Sequence, residues 1–130
     1  MSNSTLILFY TQSGNTEKVA NIIHGEVGGD ILSIDSEVNL GAYDTVFIGT
    51  PNHRQTAATN VLDFLKASDL SGKTVIPFCT HGTGGLQNIA TDIEACCPNS
   101  TVLKAFAIQD INLDSAPEKI SEWLSEIGIK

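Results

Sequence analysis

Leu6-Ile7-Leu8-Phe9-Tyr10 runs into Thr11-Gln12-Ser13-Gly14-Asn15-Thr16, after which Val19, Ala20, Ile22 and Ile23 recur, and this stretch decides the fold. Five successive apolar residues bounded by turn formers are too few for a buried helix. They read as a strand covered on both faces, as inside a parallel sheet. The later apolar positions have helical spacing, so a helix lies across that strand. The polar turn between them brings the hydroxyls of Thr11, Ser13 and Thr16, with unpaired backbone N–H groups, to the front of the helix N-terminus. Amide donors and the positive end of the helix dipole make that an anion site, and a phosphate is the expected occupant.

The surroundings limit how such an anion is held. Fifteen acids against seven bases give the 130-residue chain a net charge of −8, which argues against nucleic acid and an anionic membrane surface and favours basic partners. A phosphate must therefore be held by neutral donors. The length suits a single domain, residues 1–130, burying about two thirds of its unfolded surface without disulfides. No apolar run approaches about 18 residues, and Met1-Ser2-Asn3-Ser4 lacks a basic-then-apolar signal. A cytoplasmic location away from membranes is the expectation. Cys79, Cys96 and Cys97 lack metal-ligand spacing and are expected to be small buried hydrophobes. A redox pair at the adjacent Cys96 and Cys97 would be strained.

Further along, residues 30–35 alternate partly polar and predict an edge strand. Residues 36–44 show no helical stripe, so a short turn or a single helical turn is expected there. Residues 45–49 are uniformly apolar up to Gly49 and predict a central strand, followed by the polar loop 50–56, in which Pro51 breaks regular structure. A helix over 58–67 buries Val61, Leu62 and Leu65. Residues 74–79 form the fourth strand, within which Pro77 requires a bulge or an unpaired flank. The loop 80–85 carries three glycines, which let backbone pass close to a ligand. A helix with Leu86, Ile89, Ala90, Ile93 and Cys97 on one face stops at Pro98. Residues 101–108 are the fifth strand. After a turn over 109–115, the last helix opens at Pro117, buries Ile120, Trp123, Leu124 and Ile127, and ends at Gly128.

Five strands alternating with four helices give an open, doubly wound α/β sheet with helices on both faces. Ligands of such sheets sit beyond the carboxyl ends of the strands, where strand order reverses. The loops 11–16, 50–56 and 80–85 follow strands one, three and four, and their convergence argues for one site. His24 lies away from it on the first helix and reads as a surface residue. Glu17, Asp63, Asp92, Glu94 and Glu118 read as exposed helix faces that steer a basic partner.

Taken together these residues resemble a known family. Thr11-Gln12-Ser13-Gly14-Asn15-Thr16 matches the T-x-[ST]-G-N-T phosphate loop of flavodoxins. Residues 43–51 are similar to the stretch entering their second flavin loop, and residues 72–85 to the fourth strand and third flavin loop of the branch that reads P-F-x-T-x-G. The resemblance spans nearly the whole chain in order and, without an insertion after strand five, is to the short-chain type. It implies a flavodoxin-like three-layer sandwich with sheet order 2-1-3-4-5, and bound flavin mononucleotide (FMN). The phosphate would contact Thr11, Gln12, Ser13, Gly14, Asn15 and Thr16. The flavin ring would lie between Thr50, Pro51, Asn52, His53 and Arg54 on one side and Thr80, His81, Gly82, Gly84 and Gly85 on the other. Family members commonly stack aromatic rings there, whereas this chain offers His53, Arg54 and His81. A cation in that position would stabilise the reduced, anionic flavin and raise its potential.

Fold alone hosts many functions, but the residues exclude several. Thr11 stands where a phosphate-accepting receiver needs acids, no Arg closes a loop with Cys79, and neither a G-x-S-x-G elbow nor a G-x-x-x-x-G-K-[ST] phosphate loop occurs. The expected function is a small, acidic one-electron carrier, a monomer or weak dimer, whose redox partner proteins present basic docking faces. Two alternatives stay open: an FMN-dependent NAD(P)H or quinone-type reductase, and a binding module of the same fold that has lost flavin.

Overall fold

The computed structural model describes residues 4–53, 55–82 and 84–129. The opening stretch forms β1 (Thr5–Phe9) and α1 (Asn15–Val27). Then come β2 (Asp30–Ser33), β3 (Thr45–His53), β4 (Thr56–Ala57), α2 (Thr59–Lys66), β5 (Thr74–His81), α3 (Ile89–Cys96), β6 (Thr101–Val102), β7 (Phe106–Gln109) and α4 (Ala116–Glu126). Two 3-10 turns, Leu40–Ala42 and Asp110–Ser115, complete the chain. The first is the single turn expected in place of a second helix.

Parallel neighbours run β2-β1-β3-β5, and β6 and β7 both pair with the far flank of β5. These two are the expected fifth strand in two pieces, so the order 2-1-3-4-5 holds. Side chains alternate between faces along each strand. Leu6, Leu8, Val46, Ile48, Val75 and Cys79 pack with Val61 and Leu65 of α2 and Ile89 and Ile93 of α3. Ile7, Phe9, Phe47, Ile76 and Phe78 pack with Val19 and Ile23 of α1 and Ile120, Trp123 and Leu124 of α4. Each fully buried aliphatic or aromatic side chain stabilises the fold by about 1.5–3 kcal/mol. The two faces share this load through one sheet.

Both strand prolines fit the parallel ladder by the same device. Val75 O accepts from Leu103 N–H at 3.0 Å, so the backbone of Pro77, two residues on, faces the same flank, where β6 has ended and β7 has not begun. Gly49 O accepts from Tyr10 N–H at 3.0 Å, so Pro51 faces the flank that β1 has just left. Neither proline removes a ladder hydrogen bond. Pro51 therefore does not end β3 as expected. The strand continues in register with β5, Pro51 opposite Thr80, and turns back through β4, which pairs Asn52 with Ala57 and His53 with Thr56.

Three further expectations change. Thr80 and His81 belong to β5 and not to a loop. The helix expected from Leu86 begins only at Ile89, because Gln87 has φ +42, which no α-helix accommodates. Asp92 is half-buried and accepts a short hydrogen bond from the Thr56 hydroxyl, so it is not a freely solvated acid.

At the sheet edge, Tyr43 Oη donates to Asp30 Oδ2 at 2.6 Å and fastens β2 to the segment leading into β3. That hydrogen bond, aided by desolvation, raises the Tyr43 phenol above its ordinary value. A raised folded-state value means the contribution is complete below about pH 10 and is lost as pH rises through the elevated value. The urea midpoint of the wild type is expected to fall more between about pH 9 and pH 11 than that of Tyr43→Phe; parallel declines would refute the assignment.

Candidate functional site

Three connections meet at the carboxyl ends of β1, β3 and β5. The first turns on Gly14, which has φ +92 and occupies the N-cap of α1 without a side-chain cap. A left-handed conformation at that point suits glycine and leaves the first-turn amides of α1 without a side-chain acceptor. The Thr11 hydroxyl accepts from Gly14 N–H at 2.9 Å, which sets the turn and keeps the Thr11 O–H available as a donor. Gln12 and Ser13 are exposed and Asn15 half-buried. Thr16 differs from the expected open cradle: it is 1% exposed and its hydroxyl meets that of Thr80, 3% exposed, at 2.8 Å. One hydroxyl donates to the other, so the buried pair retains one hydrogen to offer elsewhere.

The second connection is the β3–β4 hairpin. Thr50 is fully buried, its hydroxyl donating to Pro51 O at 2.8 Å and accepting from Ala58 N–H at 2.9 Å. It shapes the turn and is closed to a ligand. His53 Nε2 and Gln12 Oε1 lie 2.6 Å apart, the ring N–H donating to the amide oxygen. The same ring stands nearly perpendicular to that of Tyr10, at an interplanar angle of 87° with centroids 6.3 Å apart. Gln12, Asn52, His53, Thr56, Ala57 and Thr59 line an open cleft of ≈ 590 Å³. Arg54, expected against the ring, lies outside the described residues.

The third connection leaves β5 at His81. Gly82 and Gly84 are exposed, Gly85 takes φ +71, and Thr83 lies outside the described residues. His81 Nδ1 is buried without a partner among the described residues, as is Asp110 Oδ1. Such orphaned polar atoms are what a bound ligand or an ordered water satisfies. A fourth contributor, the end of β7, is not among the expected site residues. Gln109 is paired with His81 in the sheet, and its Nε2 donates to Gly82 O at 2.6 Å. That role depends on strand pairing, which a polar turn in the sequence does not reveal.

The other candidate groups are inert. Burial, reinforced by the charge of Asp110, pushes the Cys79 thiol up to about 12. Cys97 is buried as expected, Cys96 is half-buried, and all three cysteines are free. Burial raises Cys96 and Cys97 as well, against a reactive thiolate. Among the described residues no group of three or more His, Cys, Asp or Glu could hold a metal ion, and no helix is long and apolar enough to cross a membrane.

A doubly wound parallel sheet with an uncapped helix N-terminus and three convergent polar loops defines the class of open α/β proteins that bind ligands at a switch point. The chain belongs to the flavodoxin family, whose profile, described as Flavodoxin, matches residues 31–127. That match begins within β2, so the loop 11–16 stands on its own sequence and geometry. Solved structures agree in fold across almost the full length. A candidate flavoprotein from Bacteroides eggerthii is 24% identical, with TM-score 0.84 over 99% of this chain and 100% of the other. A Fusobacterium nucleatum flavodoxin bound to flavin mononucleotide is 14% identical, with TM-score 0.78 over 97% of each chain. A Lactobacillus acidophilus flavoprotein in complex with FMN is 19% identical, with TM-score 0.66 over 94% of this chain and 99% of the other. No curated protein sequence matches the chain.

Proposed function

We propose that this protein is a small one-electron carrier that binds FMN, with the phosphate on residues 11–16 and the ring between the β3–β4 hairpin and the turn after β5. The observation that carries the proposal is the uncapped, glycine-turned start of α1 beside the open hydrogen of the Thr16–Thr80 pair. Two similar folds described as holding FMN support it. The donor set fits the group. Backbone amides of α1, the Thr11 and Ser13 hydroxyls and the helix dipole together hold a dianion by charge-assisted hydrogen bonds, without a lysine or arginine. At the ring end, His81 Nδ1 has no partner among the described residues, and His53 offers a flat imidazole.

When bound, FMN supplies reversible one-electron chemistry, and the protein supplies binding, orientation and field. Gly14 presents the amides, the Thr16–Thr80 pair closes the floor beneath them, and the hairpin bears the histidine that faces the ring. The net charge of −8, with Glu17, Asp63, Glu94 and Glu118 exposed, steers a partner protein with a basic docking face. Electron transfer to it slows as salt screens the attraction. We place this carrier in the cytoplasm, as a monomer or weak dimer.

The test is titration of the flavin-free protein with FMN, followed by potentiometric reduction. Quenching of FMN fluorescence and two separate one-electron steps are the expected result. A protein that leaves added FMN unquenched overturns the binding reading. A single two-electron step with rapid oxidation of a nicotinamide overturns the carrier in favour of a reductase.

A further inference from the structure

Asn52 was expected to touch the ring, yet both of its amide hydrogens are spent inside the protein. Its Nδ2 donates to Gly85 O at 2.8 Å and to Gln87 Oε1 at 3.0 Å, while its Oδ1 accepts from Gln55 N–H at 3.0 Å. We infer that Asn52 is a positioning residue that locks the β3–β4 hairpin and the turn after β5 into one jaw, presetting the gap for the flavin ring; this rests on the flavin reading above.

The backbone on either side of Asn52 explains why such a lock is needed. Gln55 has φ +77 and Gln87 has φ +42, and these are the two non-glycine residues with positive φ among those described. One lies in each arm of the jaw, and Asn52 bonds to both. Left-handed backbone is disfavoured for side-chain-bearing residues and persists where the surroundings over-determine it, a pattern that gathers at ligand clamps. A second bond repeats the tie, with Asn88 N–H donating to Gln55 O at 2.8 Å. The Thr56 hydroxyl adds a third, to Asp92 of α3. Gly84 leaves room for the clamp: a Cβ there would come 2.5 Å from Gln87 Oε1 and 3.4 Å from Asn52 Nδ2. The hydrogen bonds of Asn52 do not reach residues 11–16, whose link to the hairpin is His53 to Gln12. Removing the Asn52 side chain therefore loosens the ring end of the pocket and spares the phosphate end.

The experiment uses Asn52→Ala, Gln55→Gly and the double variant, with riboflavin as a probe of the ring without phosphate and FMN as a probe of both ends. Asn52→Ala is expected to weaken riboflavin and FMN by the same factor, about tenfold, as for loss of one net hydrogen bond's worth of preorganisation. The double variant recovers most of that loss, because glycine adopts φ +77 unaided. In flavin-free protein, amide exchange at Gln55 and Asn88 accelerates in Asn52→Ala while exchange at the core residue Ile76 stays unchanged. Unchanged exchange at Asn88, unchanged riboflavin affinity despite faster exchange, or a double variant as weak as Asn52→Ala would each overturn the inference. A wild-type protein that quenches neither probe overturns the flavin reading instead, and the exchange experiment then decides the clamp by itself.

Discussion

Gly49→Val is expected to destabilise the protein by about 3 kcal/mol, lowering the ratio of folded to unfolded molecules by more than about a hundredfold. Gly49 lies in β3 directly opposite Phe78 of β5, at the middle of the sheet. A Cβ at position 49 would fall deep inside contact distance of three atoms of the Phe78 ring. The ring has nowhere to go: Phe78 is fully buried and belongs to the same packed group as Phe9, Phe47, Phe106 and Trp123. Interiors packed like crystals answer such an intrusion with strain. The urea midpoint should fall while its slope holds, since the folded surface is unchanged. Shrinking the obstacle gives an independent check. Gly49→Ala combined with Phe78→Leu should cost less than the two single changes summed, because the second makes the space the first requires. Gly49→Val with a wild-type midpoint would refute the argument.

That pairing also shows how far the sequence reaches. The faces of the sheet were legible wherever both were apolar. Leu6 and Leu8 go to one layer and Ile7 and Phe9 to the other, so a continuous apolar run read correctly as a doubly covered parallel strand. Pro77 read as a local mismatch because sequence supplies no second strand. The break between β6 and β7 that resolves it is a property of the neighbour. Residues 50–53 read as loop because their own polarity argues against a strand, and it is pairing with Thr80 that extends β3. Such tertiary override is ordinary for strands, whose propensity is mostly a matter of partners. At the site, the convergence of three loops was legible from their order along the chain. The inward turn of Thr16 was not, since its partner Thr80 is 64 residues away and a hydroxyl in a first helical turn looks like a cap. The roles of Asn52, Gln87 and Gln109 were hidden for the same reason, as each acts by bonding to a different loop.

The Thr16–Thr80 pair separates the stability of this site from its function. Thr16→Val leaves the Thr80 hydroxyl buried without a partner, and Thr80→Val does the converse, so each is expected to cost about 1–3 kcal/mol. The double variant replaces both hydroxyls with methyl groups of similar size and removes the stranded group. It should be about as stable as either single variant or more so, a strongly non-additive cycle. Under the proposed function the pair's remaining hydrogen is directed to the phosphate, a charge-assisted bond that the folded double variant has lost. Its affinity for FMN should then fall by about tenfold to a hundredfold, while riboflavin, which has no phosphate, binds as before. Additive stability losses would show that the two hydroxyls do not depend on each other. Unchanged FMN affinity in the double variant would place them outside the phosphate's reach, leaving the amides of α1 and the Thr11 and Ser13 hydroxyls to hold it.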